Sequence, residues 1–385
     1  MITLVPHAVL SQEQIAYLSK PSPEPKVCYY SSERARRWEA FKLQHPTVVL
    51  ICTLVISLIK LLLAVVFFPL GLVMFLSGFC QALVLPAAFM GGCLGRLLRI
   101  FGYIGRKDLV HPFHNMARDI RIKKIERTPI QYDHVLVDSI ELHLKNAKPT
   151  RWILVSEGNF FGMENRFKLL GCRNPLVDLA EKLEANLLFF NYPGVVSSRG
   201  PVSKEGLVKS YQACVRYLKD PQQGLGAKEI LGYGISLGGA VQAEALKDEV
   251  LDGSNGVQWI LIKDRTFTSM REVGKSLFGK FGVWLTRGFG WDMEPAKISE
   301  TVCCPEIFIY SSQIGSQAVA SDGKFEPDLS FASAFVKEGK LVSTSKLKVP
   351  IGVPLLGHAE NLYDELIDAI TAASKSFLES SMSEN

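Results

Sequence analysis

The sequence has no pattern typical of a disulfide-stabilised or nucleic-acid-binding protein. Its eight cysteines contain no C-x-x-C pair, so we expect free thiols in a reducing compartment. The net charge of +5 is small for 385 residues and comes without a basic tract interleaved with aromatic residues, which argues against nucleic-acid binding. With 48% hydrophobic and 21% charged residues, the chain is not disordered, and its length predicts two or three structural units.

Charge is almost absent from one segment near the N-terminus. Between Thr47 and Gly95 the only charged residue is Lys60. This segment is too long for one membrane span, which takes about 20 residues. Because Pro69 interrupts it near the middle, we predict two transmembrane helices, Thr47–Phe68 and Leu70–Gly95.

Basic residues flank both ends of this hairpin. They are Arg34, Arg36, Arg37 and Lys42 before it, and Arg96, Arg99, Arg106 and Lys107 after it. By the positive-inside rule, both ends of this multi-pass protein are expected on the cytoplasmic side. The N-terminus lacks a charged start followed by an apolar run, so no cleaved signal peptide is expected. The predicted units are a cytoplasmic segment (1–46), the membrane hairpin (47–95), a basic linker (96–128) and a soluble domain (129–385).

The soluble domain alternates short apolar runs with stretches of helical spacing. The runs that predict strands buried on both faces are Trp152–Val155, Leu187–Phe190, Glu229–Tyr233, Trp259–Ile262 and Glu306–Tyr310. The alternation predicts a doubly wound, mostly parallel α/β sheet whose ligand site lies at the carboxyl ends of the strands. We also expect an antiparallel hairpin of Gln131–Val137 with Ser139–Lys145, a small helical cap around 265–305, and a closing helix after Asn361.

The sequence Gly-Ile-Ser-Leu-Gly follows the third buried strand. Its Ser236 lies between Gly234 and Gly238, which is the G-x-S-x-G pattern of a nucleophile between a strand and a helix. Glycines are needed there because the strained turn leaves no room for neighbouring Cβ atoms. Ser236 is therefore the predicted nucleophile. Gly232, Gly234 and Gly238 also fit a loose nucleotide-binding G-x-G-x-x-x-G, although that fingerprint belongs on a first strand.

A serine nucleophile needs a base and a carboxylate that orients the base. His358 follows the last predicted strand, just before the closing helix, and is the predicted base. Asp322 is the predicted acid, although it stands farther from its strand than is usual. Asp264, directly after a buried strand, is the alternative acid, and Asp328 is the third candidate.

The oxyanion formed during acyl transfer needs two backbone N–H groups. The first is predicted at Leu237, directly after the predicted nucleophile. The second is predicted in the loop after the first buried strand, at Asn159 or Phe160, of which Asn159 is preferred. Gly158 keeps the permissive glycine of that loop, but Glu157 stands where many hydrolases have histidine.

These motifs together resemble the α/β-hydrolase superfamily over roughly residues 130–382. The stretch FNYPGVVSSRG adds to the resemblance through Tyr192, Gly194 and Ser198, although Val196 replaces a glycine of the usual loop. With the N-terminal hydrophobic hairpin, the chain more narrowly resembles the CHLPS-type family of chlamydial hydrolase-like membrane proteins. That resemblance implies an α/β-hydrolase-like fold with no settled substrate, in a bacterium that lives within host cells.

The sequence predicts a membrane-anchored serine hydrolase of the esterase, lipase or thioesterase type. The expected substrate is a carboxylic ester or thioester. The bulky apolar residues of the cap, near the predicted hairpin, favour a lipid-derived one. Membrane lipids are the expected partners, and no metal or organic cofactor is predicted, since His111 and His114 lack acidic or cysteine neighbours. The alternative is a catalytically inactive hydrolase-fold interaction module at a bacterial or inclusion membrane.

Overall fold

The computed structural model describes residues 24–66, 68–86, 119–159, 162–164, 166, 174–342 and 347–380. Its helices are α1 (Glu33–Gln44), α2 (Pro46–Val66), α3 (Phe68–Val84), α4 (Pro175–Lys182), α5 (Lys204–Lys219), α6 (Leu237–Leu246), α7 (Met270–Gly288), α8 (Pro295–Ser299) and α9 (Asp364–Ser380). Its strands are β1 (Val27–Tyr29), β2 (Ile122–Arg127), β3 (Ile130–Tyr132), β4 (Val135–Val137), β5 (Ser139–Leu144), β6 (Arg151–Ser156), β7 (Asn186–Phe190), β8 (Glu229–Ile235), β9 (Gln258–Asp264), β10 (Glu306–Ser312), β11 (Val336–Lys337), β12 (Lys340–Leu341) and β13 (Lys348–Pro354). Short 3-10 helices cover Pro327–Leu329 and Phe331–Ala334.

An eight-stranded sheet with the order β13-β10-β9-β8-β6-β7-β5-β2 forms the centre of the protein. Strand β5 runs antiparallel to β2 and β7, and the other neighbours are parallel. The five predicted buried strands correspond to β6 to β10, within two residues of the predicted bounds at either end. This is an α/β-hydrolase-like fold with a mostly parallel central sheet, as the sequence predicts.

Helices cover both faces of this sheet because its strands are apolar on both faces. Leu154 of β6 packs in one core with Tyr211 of α5 and Val241 of α6. Its neighbour Ile153 packs in a second core with residues of α4 and α9, such as Leu366. Successive side chains of a strand point to opposite faces, so the continuous apolar run in β6 serves both cores.

The first strands pair differently from the sequence prediction. The predicted hairpin of Gln131–Val137 with Ser139–Lys145 is wrong, because β3 pairs with β4 inside the first stretch, through a turn at Asp133 with φ 49°. Strand β5 pairs instead with β2, which lies within the predicted linker, and with β7. Alternation of apolar residues predicts that a strand forms but does not identify its partner.

The segments before and after the apolar hairpin are joined by a small sheet. Strand β1, which precedes the hairpin, pairs in parallel with β3, which follows it. The Tyr29 hydroxyl donates to Asp220 Oδ2 over 3.0 Å, and Ser31 N donates to Asp133 Oδ1 over 2.7 Å. The chain before the hairpin is therefore bound to the soluble domain.

The predicted membrane hairpin corresponds to α2 and α3, with 87–95 outside the described residues. By length and composition, the helices Glu33–Gln44 and Pro46–Lys60, bent by 100° to each other, could cross a membrane as a pair. No single helix among the residues that the structure describes passes that test.

Helix α7 in the predicted cap folds back on itself. Phe278 and Gly279 have non-helical backbone angles, and Gly279 has φ 58°. The two arms touch at Gly274 and Gly282, where a Cβ on Gly282 would lie 1.9 Å from the Gly274 carbonyl oxygen. The tip of this cap exposes large apolar residues, which are Leu277, Phe278, Phe281 and Trp284.

A buried ionic network joins the last three strands of the sheet. Glu306 of β10 accepts from Lys263 of β9 and Lys348 of β13, each over 2.6 Å. Burial alone would raise the pKa of Glu306, but the two ammonium groups hold it below its ordinary value. The three side chains are at most 4% exposed. These contacts hold together the strands that lead to the loops of Asp322 and His358.

We expect Glu306→Gln to lower the free energy of unfolding by roughly 3–5 kcal/mol, because it leaves two buried lysines without their counter-charge. The lowered pKa means that this stabilisation is present at neutral pH and is lost as the pH falls through the folded-state pKa. Asp368→Asn, which breaks an exposed pair with Lys182, is the control and should change the free energy of unfolding far less, because solvent screens exposed pairs. Urea unfolding measures the stability of both variants. Equal losses of unfolding free energy would contradict the role of Glu306 as the counter-charge of the two buried lysines.

Candidate active site

Ser236 lies in a tight turn between β8 and α6. Its backbone has φ 51° and ψ −113°, a conformation that is strained for a residue with a Cβ. A Cβ on Gly234 would lie 2.6 Å from Gly239 Cα, and one on Gly238 would lie 2.0 Å from the Ser156 carbonyl oxygen. Both glycines are therefore required by close packing, which explains them without a nucleotide site.

The structure brings Ser236, His358 and Asp322 together at the carboxyl ends of the parallel strands. His358 Nε2 lies 3.1 Å from Ser236 Oγ, and His358 Nδ1 lies 2.6 Å from Asp322 Oδ2. Ser236 is 5% exposed. The ring of Phe325 contacts His358 edge-on, with centroids 4.8 Å apart. The imidazole can therefore exchange a proton with the hydroxyl while the carboxylate holds its other nitrogen.

The Asp322 carboxylate is held by its own loop. Asp322 Oδ1 accepts from the backbone N–H groups of Lys324 and Phe325, over 3.0 and 2.7 Å, and the His358 N–H donates to the Asp322 carbonyl over 2.8 Å. Burial alone would raise the pKa of Asp322, but His358 and the two backbone donors hold it below its ordinary value. Asp322 therefore carries a negative charge at neutral pH.

The alternative acid, Asp264, contacts other groups. Its carboxylate pairs with Arg265 and accepts from the Tyr233 hydroxyl over 2.7 Å. Burial alone would raise the pKa of Asp264, but the guanidinium of Arg265 holds it below its usual range. Arg265 also donates to the carbonyls of Gly357 and Glu360, each over 2.7 Å. Asp264 thus supports the loop of the histidine through Arg265. Asp328, the third candidate, is exposed in a 3-10 helix.

The loop after β6 lies against Ser236. A Cβ on Gly158 would lie 3.8 Å from Ser236 Cβ, and Asn159 and Leu237 line the cavity that Ser236 lines. Leu237 is the first residue of α6, where backbone N–H groups have no acceptor within the helix. The two residues predicted to supply oxyanion donors thus line the same cavity as Ser236. Phe160, the other candidate for the second donor, lies outside the described residues.

Glu157, the residue that departs from the usual loop, forms an ion pair. Arg166 donates to both of its carboxylate oxygens. Tyr192 of the following loop donates to the Glu157 carbonyl over 3.2 Å and lies 2.6 Å from Ser156 Oγ. Val196, which replaces the loop glycine, adopts φ 48°. Contacts within the protein thus fix the loops beside the site, although Glu157 and Val196 depart from the residues usual in hydrolase loops.

Two cavities meet at Ser236. One, of about 260 Å³, is mostly apolar and lies between α3, α7 and the start of α6. The other, of about 890 Å³, contains the ionisable side chains of Asp322, His358, Arg166 and Arg265 and is called the polar cavity for these groups, although its lining is still more apolar than polar. Ser236 therefore stands between a compartment that is almost wholly apolar and one that carries charged groups, a division that suits a molecule with one apolar and one polar part.

One group of potential metal ligands occurs among the described residues, and it lies away from Ser236. Ligand atoms of Glu126, Glu141 and His143 lie within 4.8 Å of one another. Glu126 pairs with Lys26 and Lys124, while Glu141 accepts from Thr128 and Tyr217. These carboxylates already have partners, so the cluster is better explained as a network of ion pairs and hydrogen bonds.

Three parts of the site were not predicted from the sequence: Arg265, Phe325 and the wall that α3 forms in the apolar cavity. Arg265 follows Asp264 directly, but its contacts with the His358 loop are distant in sequence. Phe325 lies three residues after Asp322, but nothing in the sequence indicates that its ring contacts His358. The hydrophobicity of α3 predicts burial in some apolar environment but does not distinguish protein from lipid.

The sheet, the turn at Ser236 and the loops around it define a protein of the α/β-hydrolase fold. The model of the family described as Chlamydia CHLPS protein (DUF818) matches residues 17–379. The chain belongs to this family.

More distant similarities involve hydrolases and esterases. The α/β hydrolase domain-containing protein WAV2 of Arabidopsis thaliana is 31% identical over 112 residues, which are 29% of this chain and 34% of that protein. The match thus spans about a third of the relative. The esterase Pf2001 of Pyrococcus furiosus has a TM-score of 0.47 at 15% identity, covering 66% of this chain and 91% of its own. An α/β hydrolase of Vibrio vulnificus has a TM-score of 0.47 at 14% identity, covering 68% and 92%.

The two candidate acids can be separated by substitution. Asp322→Asn is expected to slow the reaction of Ser236 with a fluorophosphonate about 10³- to 10⁴-fold, because the amide no longer stabilises the protonated imidazole. Asp264→Asn is expected to lower the free energy of unfolding by roughly 3 kcal/mol. In the protein that remains folded, it should slow the labelling of Ser236 less than about tenfold. Labelling kinetics and urea unfolding measure these effects. A large rate loss in Asp264→Asn at unchanged stability would assign the acid to Asp264.

Proposed function

We propose that this protein is a membrane-attached serine hydrolase that cleaves a carboxylic ester or thioester of a long acyl chain. The observation that carries the proposal is the chain of contacts from Asp322 through His358 to Ser236, beside an apolar cavity. Each member has the chemistry required for acyl transfer: a nucleophile, a base and a carboxylate that orients the base.

In the first half of the reaction, His358 Nε2 takes the proton of the Ser236 hydroxyl as Oγ attacks the acyl carbonyl carbon. The carbonyl oxygen becomes an alkoxide, which the N–H groups of Leu237 and Asn159 stabilise. Asp322 stabilises the imidazolium that forms. When the alkoxide collapses, the bond to the leaving alcohol or thiol breaks, and His358 gives that group its proton. The product is an acyl ester of Ser236.

In the second half, water takes the place of the leaving group. His358 removes a proton from the water as its oxygen attacks the acyl carbon, and the same two N–H groups hold the second alkoxide. Collapse breaks the bond to Ser236 Oγ, which recovers its proton from His358. The carboxylic acid leaves and the enzyme returns to its starting state.

The two cavities at Ser236 support an acyl ester as the substrate class. The apolar cavity accommodates hydrocarbon, whose removal from water contributes about 0.8 kcal/mol per methylene group. The polar cavity, with Arg166 and Lys324 among its lining residues, accommodates the leaving group and the water. A short soluble ester would leave the apolar cavity unfilled and would be a poorer substrate.

Three features support attachment to a membrane. Helix α2 exposes nearly every described side chain although the helix is apolar, and such a surface needs an apolar partner. The tip of α7, whose Phe278 ring lies 6.2 Å from that of Phe79 in α3, exposes Phe281 and Trp284. The pairing of β1 with β3 joins the chain before the hairpin to the chain after it, which supports both flanks lying on one face of the membrane, the cytoplasmic face by charge.

Replacement of Ser236 tests the catalytic proposal. Ser236→Ala is expected to abolish labelling by a fluorophosphonate and to lower turnover of acyl esters by about 10⁴-fold or more. The free energy of unfolding should change by less than about 1 kcal/mol, because only an oxygen atom is removed. Ser376→Ala, at an exposed serine of α9, is the control and should retain full labelling.

Absence of any reaction at Ser236 would favour the second candidate function, that of an inactive interaction module. If the unmodified protein reacts with no fluorophosphonate and hydrolyses no ester, the catalytic proposal is wrong. The fold would then serve as an inactive interaction module at a membrane.

Reporter fusions test the proposed topology. Reporters placed after Lys42 and after Lys107 are expected to give the same cytoplasmic signal, because a hairpin crosses the membrane an even number of times or enters and leaves on one side. Opposite signals from the two positions would indicate a single span and would exclude the β1–β3 pairing in the membrane-bound protein.

A further inference from the structure

The apolar cavity at Ser236 is partly lined by the N-terminal hairpin. Cys80, Leu83 and Val84 of α3 line the cavity opposite Met270 and Val273 of α7, and Pro86 lies next to them. The hairpin is therefore a structural part of the site as well as a candidate anchor.

Helix α3 is packed against the soluble domain on one side only. Cys80 and Leu85 are 5% and 0% exposed and belong to the same core as Leu237, the residue after the nucleophile. The rings of Phe79 and Phe278 lie 6.2 Å apart between α3 and the cap. The opposite side of the helix, which includes Phe75, is exposed. Burial of this kind stabilises a fixed position of α3 on the domain.

The rim of the cavity is apolar and open. Leu83 of α3 is 39% exposed, and Leu277 and Phe278 of the cap are 64% and 41% exposed. Apolar surface therefore extends from the exposed face of the hairpin, across the rim, to the wall beside Ser236. A hydrocarbon chain that follows this path stays in apolar surroundings, so its entry into the cavity has no cost of exposure to water.

We infer that α3 forms one wall of the acyl-chain site, and that Cys80 and Leu83 set the length of chain that the site accepts. This inference rests on the proposed serine hydrolase. The substrate is then a long-chain acyl ester that enters between α3 and the cap, with its carbonyl carbon at Ser236 and its leaving group in the polar cavity.

The test uses the full chain in detergent micelles, with nitrophenyl esters of acetate, laurate and palmitate. Cys80→Leu fills the cavity and is expected to lower the ratio of kcat/KM for laurate to that for acetate by about tenfold or more. Leu83→Ala opens the cavity and is expected to raise the ratio for palmitate to that for laurate. Leu72→Ala changes an exposed residue of α3 outside the cavity and should leave both ratios as they are.

Labelling with a short and a long alkyl fluorophosphonate separates the possible failures. If Ser236 reacts but both cavity variants keep the chain-length ratios of the unmodified protein, the inference is wrong and the proposed hydrolase stands. If Ser236 of the unmodified protein does not react with either reagent, the proposed function fails and the inference fails with it. If Cys80→Leu does not fold, Leu83→Ala alone decides the matter, because truncating a rim residue does not overfill the core.

Discussion

The contact between the start of α6 and the end of β6 leaves no space for a side chain at Gly238. A Cβ there would lie 2.0 Å from the Ser156 carbonyl oxygen, so the helix approaches the strand as closely as a backbone allows. Ser236 is thereby confined to a turn with φ 51°, with its hydroxyl at the strand ends. The same approach brings the loop of Gly158 and Asn159 beside the serine, so one steric constraint positions both Ser236 and the backbone next to it.

The histidine is positioned by groups that are distant in sequence and largely backbone. Its own N–H binds the Asp322 carbonyl, while Arg265 binds two carbonyls of the loop that carries it. Arg265 in turn is paired with Asp264 at the end of β9. The two carboxylates that the sequence offers as candidate acids thus make different contacts. Asp322 contacts the imidazole, and Asp264 holds the arginine that supports the imidazole's loop.

Local patterns were sufficient to predict the buried strands and the turn at Ser236, and they pointed to His358, whose ring lies 3.1 Å from Ser236 Oγ. They were not sufficient where the partners of a residue are distant in sequence. Alternation of apolar residues predicted strand β5 but gave it the wrong partner strand. Spacing alone did not decide whether Asp322 or Asp264 is the acid. Strand β13 was not predicted at all, because Pro350 and Gly352 are poor strand residues. It lies at the edge of the sheet, the position where a strand tolerates proline.

The hairpin shows why hydrophobicity alone underdetermines a structure. An apolar helix is stable against lipid or against protein, and its sequence does not say which. One side of α3 is covered by protein and the other is not, since Cys80 is buried at the cavity while Phe75 is exposed. If lipid covers the outward face, attachment to the membrane and the shape of the acyl site depend on the same helix. Removing the hairpin would then also remove a wall of the cavity, so a truncated domain would not report the specificity of the intact protein.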